Sequence, residues 1–149
     1  MAAPTSLIIN SAFTEPQQHW AENADRTLRL EPARRPAGYE IIDTRENTRR
    51  QVPIPLVDTI RDRVRQWRLD GWPGTTAITL GLLQHWWDPD KVSRRQWPFY
   101  FCQLEAIETL IWHLEALPEY RQGIHIQGDG GEFERLCNKM ATGSGETTV

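Results

Sequence analysis

Three amphipathic stretches, each closed by a chain-stopping signal, do most to limit what this chain can fold into. In residues 55–69, Leu56, Val57, Ile60, Val64 and Trp67 recur at steps of three and four. That spacing predicts a helix with one apolar face, from which Arg61, Asp62, Arg65 and Arg68 point mainly away. Gly71-Trp72-Pro73-Gly74 stops it. A second helix fits residues 76–87, with Ile78, Leu82, Leu83 and Trp86 on its buried side. It ends at Asp88-Pro89, because a proline disfavours helical backbone in the residue before it. The third and strongest spans residues 98–117, with Leu104, Ile107, Ile111 and Leu114 as its stripe and Leu110 widening it. Glu105 and Glu108 share a face of that helix and read as solvated, and Pro118 ends the pattern. Arginines in residues 61–68 interleave with Asp58, Asp62 and Asp70, which predicts pairing along a helix surface rather than contact with a DNA backbone.

Strand signals are weaker. Leu7-Ile8-Ile9-Asn10 is a short β-branched run. Residues 27–30 and 39–42 alternate on either side of a turn-rich link at 32–38, predicting one small hairpin or meander. The polar residues 43–51 lack a period and read as a loop. Further on, 123–131 reads as a loop, 132–136 as a short helix and 136–140 as a buried strand. The resulting class is α/β and helix-rich. A length of 149 residues suits one domain with a small appendage, and a net charge of −3 gives no global basic footprint for nucleic acid. Seven tryptophans suit core packing better than base stacking. Cys102 and Cys137 lack C-x-x-C spacing and are expected to be buried free thiols in a reducing, cytoplasmic setting. Neither a signal-peptide pattern nor a run long enough for a membrane span is present, so a soluble protein is expected. His19, His85, His113 and His125 are scattered without metal-ligand spacing.

Two constellations point to chemistry. Met140-Ala141-Thr142-Gly143-Ser144-Gly145-Glu146-Thr147 has the form of a phosphate-binding loop, G-x-x-x-x-G-K-[ST], with glutamate at the lysine position. Gly143, Ser144 and Gly145 would bring backbone N–H groups against phosphate oxygens, and Thr147 would offer its hydroxyl to Mg²⁺. At about 4 Å and an effective dielectric near 20, one charge pair is worth roughly 4 kcal/mol, so Glu146 turns that attraction into comparable repulsion. Upstream, Phe99-Tyr100-Phe101-Cys102-Gln103 sets an aromatic cluster before a glutamine. A glutamine amide can pair with adenine at N6 and N7, and a ring such as Phe101 can stack on the purine.

In this order, Gln103 resembles the Q motif and residues 140–147 resemble motif I of superfamily 2 helicases. Several segments together resemble the N-terminal region of the helicase (Res) subunit of type III restriction enzymes and related DEAD/DEAH-box-like proteins. These are Leu7-Ile8-Ile9-Asn10-Ser11, the Pro16-x-x-His19-Trp20 step, Arg34-Arg35-Pro36-Ala37-Gly38-Tyr39, residues 101–112, and Asp129-Gly130-Gly131-x-Phe133-x-Arg135-Leu136-Cys137. The resemblance implies a β-containing accessory region at 1–52, a helical accessory region at 53–96, and the start of a RecA-like P-loop NTPase lobe at 97–149. It also implies ATP and Mg²⁺ as cofactors, and DNA and a modification methyltransferase subunit as partners. Phe101, Gln103, Gly143, Ser144, Gly145, Glu146 and Thr147 would hold the nucleotide. The family carries lysine at position 146 and continues through further helicase and nuclease motifs. This chain is therefore expected to be a truncated piece, inactive alone, because phosphoryl transfer needs those groups. The other reading is a stand-alone, non-catalytic module that docks on a restriction complex or on DNA.

Overall fold

The helix predicted from the first stretch forms over its whole length as α1, Pro55–Leu69. Pro55 sits in the first turn, where its missing N–H costs nothing, and Asp58 and Arg68 lie at the ends that favour their charges. The computed structural model describes residues 6–46, 48–128, 130–133 and 135–140. After α1 come α2 (Ala77–Trp87), α3 (Pro89–Ser93), α4 (Phe101–Glu115) and α5 (Pro118–Arg121). Thr76 caps α2 by accepting the Thr79 N–H, and Asp88 caps α3 by accepting the Asp90 N–H. Pro89 and Pro118, read from sequence as stops, each also open a short new helix at its first position.

Ahead of the helices lie β1 (His19–Glu22), β2 (Leu28–Glu31), β3 (Gly38–Asp43) and β4 (Thr48–Pro53). They make two separate antiparallel hairpins, β1–β2 and β3–β4, in place of the single hairpin expected from residues 27–30 and 39–42. Trp20 pairs with Leu30, and Tyr39 with Val52. Residues 48–53, mostly read as loop, are a strand because the Asp43 carboxylate accepts the Arg45 and Glu46 N–H groups and turns the chain back. Leu7–Asn10 is not a strand. It is held through side chains: Trp20 Nε1 donates to the Leu7 carbonyl at 3.0 Å and Gln18 Nε2 to that of Ile9 at 2.7 Å. Residues 136–140 are neither buried nor a strand, and no helix forms among the described residues of 132–136. Nothing in the described packing supplies them a partner strand, and a lone strand leaves its backbone groups without a ladder.

The core is helical. Val64 and Trp67 of α1, Leu83 of α2, and Trp112 and Ala116 at the end of α4 are buried together, with Trp72, Trp86, Trp87 and Tyr120 packed around them. The buried face of α2 is narrower than its periodicity predicts: Leu83 is buried, whereas Ile78 is 79% and Leu82 45% exposed. In α4 the buried face is rotated from the expected stripe. Phe101, Leu104, Glu108 and Trp112 are inside, and Leu114 is 60% exposed. Both cysteines are exposed, correcting the expectation of buried thiols. Cys102 follows Phe101 on α4 and therefore lies about 100° round the helix from the buried face. Among the described residues, no helix is long and apolar enough to cross a membrane.

The α1–α2 connection depends on Gly74. Its φ is +98°, and a Cβ there would stand 2.6 Å from the Glu115 carbonyl oxygen and 2.8 Å from the Leu117 nitrogen. Those are backbone atoms that cannot turn aside. Gly71 has φ +82° with open space where a Cβ would go. Gly74→Ala should therefore cost clearly more than the roughly 1 kcal/mol expected for Gly71→Ala, where left-handed strain acts alone. Urea unfolding of the two variants side by side measures the difference, and equal costs would contradict the close approach.

Candidate functional site

Helix α4 carries one buried carboxylate, Glu108, and one partly buried, Glu105, and each is met by an arginine from elsewhere in the chain. Glu108 is fully buried. Arg68 of α1 donates to it from Nε at 2.9 Å and from the terminal nitrogen at 2.6 Å, and Trp72 Nε1 donates at 2.7 Å. Burial pushes the Glu108 carboxyl above its ordinary pKa, opposed by Arg68 and Trp72. The Arg68 guanidinium also lies 3.9 Å from the Trp87 ring centroid, close enough for a cation–π contact.

One turn earlier, Glu105 accepts a two-pronged bond from Arg34 at 2.6 and 2.7 Å. Arg34 also reaches Glu15 at 3.3 Å, and Glu15 in turn pairs with Arg65 of α1. Hydrogen bonding from Arg65 holds the Glu15 carboxyl below its usual pKa, against the opposing effect of burial. Burial works against the Arg34 charge, but bonds and charge from Glu105 and then Glu15 outweigh it and raise its pKa. This network ties the segment around residue 15, the Arg34 link and helices α1 and α4 into one unit. The solvated reading of Glu105 and Glu108 is thereby corrected. Surface pairing along α1 is present as expected at Arg61–Asp58 and Arg65–Asp62.

Phe101 and Gln103, the residues expected at adenine, sit in the first turn of α4 and are 5% and 6% exposed. The Gln103 carboxamide oxygen accepts the Tyr100 N–H at 2.8 Å, securing a donor at the helix start that would otherwise lack a partner. Phe101 packs edge-on to Trp87 at 6.0 Å, with the Arg34 and Arg68 guanidiniums 5.5 and 5.9 Å from its centroid. Both side chains thus have structural work at this helix start. Gly143, Ser144, Gly145, Glu146 and Thr147 lie outside the described residues. Among the described residues, no group of three or more His, Cys, Asp or Glu side chains is placed to hold a metal ion.

A cleft of about 840 Å³ lies between the N-terminal segment, the roots of the hairpins and the start of α1. Leu7, Asn10, His19, Trp20, Arg35 and Tyr39 are on its walls, and Lys139 and Met140 line it as well. His19 is oriented by its Nδ1, which lies 2.7 Å from the Ala33 carbonyl and so must carry the hydrogen of that bond. The Asp58 carboxylate accepts the Ala37 N–H at 2.9 Å and fixes the cleft wall to α1. Sequence reasoning did not find this cleft, because its walls come from separate short segments without a common period. No protein-family model, no curated protein and no solved structure matches this chain.

Proposed function

We propose that this chain is the accessory region and opening part of the first RecA-like lobe of an ATP-dependent DNA helicase or translocase of the type III restriction kind, without catalytic activity of its own. One observation supports this reading above the others. Residues 7–10, His19-Trp20 and residues 34–39, which carry the resemblance from separate places in the sequence, line a single cleft. The Arg34–Glu105 pair joins that cleft to the helix bearing Gln103. Lys139 and Met140, which lead into residues 141–147, also line it. In the proposed enzyme, Gly143, Ser144 and Gly145 would cradle phosphate and Thr147 would meet Mg²⁺, whereas Gln103 and Phe101, which the resemblance assigns to adenine, are held buried at the start of α4. Glu146 repels the nucleotide.

A fluorescent ATP analogue with Mg²⁺ tests the reading. The chain itself should show no binding in the micromolar range, Glu146→Lys should acquire it, and adding Thr147→Val should weaken it again. Micromolar binding by the unaltered chain would contradict its inertness, and no gain in Glu146→Lys would remove the ATP-site reading.

A further inference from the structure

The same cleft has a charge pattern that the ATP reading does not use. Its described walls include Arg34, Arg35, Arg61 and Lys139 and not one aspartate or glutamate, in a chain of net charge −3. Two of these cations are neutralised from behind the wall, Arg34 by Glu15 and Glu105 and Arg61 by Asp58. Among the described residues, Arg35 donates to the Trp20 carbonyl. Neither Arg35 nor Lys139 has a carboxylate partner among the described residues. Around them the surface is aliphatic and open, with Ile8 84% and Leu7 64% exposed.

We propose that this cleft binds an acidic, aliphatic polypeptide segment of a partner protein. Its carboxylates meet Arg35 and Lys139, and its apolar side chains cover Leu7 and Ile8. Arg35 and Lys139, without carboxylate partners and in a wall free of acids among the described residues, supply the electrostatic complement. A small-molecule site would enclose most of its ligand, whereas this cleft is open to solvent. Single-stranded nucleic acid relies on aromatic platforms for successive bases. Here aliphatic residues outnumber the three aromatic rings, His19, Trp20 and Tyr39, of which His19 is tied to the Ala33 carbonyl and Trp20 to that of Leu7.

The proposal stands apart from the ATP reading, since it uses neither Gln103 nor residues 143–147. Fluorescence anisotropy tests it with three labelled probes: a peptide of alternating aspartate and leucine, one of alternating lysine and leucine, and an oligothymidylate. The acidic peptide should bind, lose affinity as salt rises, and bind about tenfold more weakly to Lys139→Glu and to Arg35→Glu. Ile8→Asp should weaken it comparably. Lys139 and Ile8 are both exposed, so these variants keep the fold even if Arg35→Glu disturbs the bond to Trp20. Tighter binding of oligothymidylate, equal binding of the basic peptide, or acidic-peptide affinity unchanged in Lys139→Glu and Ile8→Asp would overturn the proposal.

Discussion

Replacing Arg68 with methionine is expected to destabilise the fold by about 3–5 kcal/mol at neutral pH, the cost of leaving a buried charge without its partner. Glu108 is fully buried, and among the described residues Trp72 Nε1 would be its remaining side-chain donor. Replacing both residues, Arg68→Met with Glu108→Met, should recover much of the loss, because an apolar pair of similar volume avoids the desolvation of both ions. The pH dependence has a definite sign. Burial raises the Glu108 pKa above the ordinary 4.5, so its contribution to stability is fully present below 4.5 and is lost as pH rises through the raised value. Removing Arg68 takes away a lowering influence and widens that window. The deficit of Arg68→Met should therefore shrink as pH falls toward 4.5. Glu15 runs the other way: its lowered pKa gives stability above 4.5 that is lost as pH falls through the folded value. The comparison is made as a difference between variant and parent, in which the Glu15 contribution cancels. Urea unfolding at neutral pH and near 4.5 reads both effects, and a deficit that grows on acidification would refute the assignment.

The same pair marks the boundary of what the sequence made legible. Helix α1 was readable over its full length because Val57, Ile60, Val64 and Trp67 keep one apolar side and the Gly71-Trp72-Pro73-Gly74 turn follows. Placing α4 was possible to within a few residues, but its inward face was not. An apolar-only count selects Leu104, Ile107, Ile111 and Leu114, while the buried line runs Phe101, Leu104, Glu108, Trp112 and shares only Leu104 with it. A glutamate four residues from both a leucine and a tryptophan was the available signal, but it has meaning only once Arg68 is brought within 3 Å by the packing of α1 on α4. Strands β1 and β4 were missed for a different reason. With most of their residues exposed or half-exposed, hairpins carry little of the alternation that a covered face imposes. The cleft depends on contacts between segments, and a one-dimensional pattern does not contain them.

Trp112→Ala is the second large effect expected, about 3–5 kcal/mol, because it empties a wholly enclosed indole site. Trp67→Ala should carry the same cavity cost and lose a hydrogen bond besides. Against a usual total of roughly 5–15 kcal/mol for a domain, either change consumes a large share of the stability. Phenylalanine separates the two positions. Trp67 Nε1 donates to the Pro73 carbonyl at 2.8 Å and so clamps the end of α1 to the turn that carries Gly74. Trp112 Nε1 is buried and has no acceptor among the described residues. Trp67→Phe thus loses ring volume and strands a carbonyl, at an added cost of about 1–3 kcal/mol, whereas Trp112→Phe loses volume while removing a buried donor that has no partner. The ordering expected in thermal or urea unfolding is that Trp67→Phe falls further than Trp112→Phe, and Trp67→Ala further than Trp112→Ala by a similar margin, because either change at 67 removes the donor to Pro73. If Trp112→Phe were the worse of the pair, volume alone would govern this core and the Trp67–Pro73 bond would contribute little. The clamp would then fail as the reason that a helix ending in two left-handed residues, Gly71 and Trp72, turns so sharply into α2.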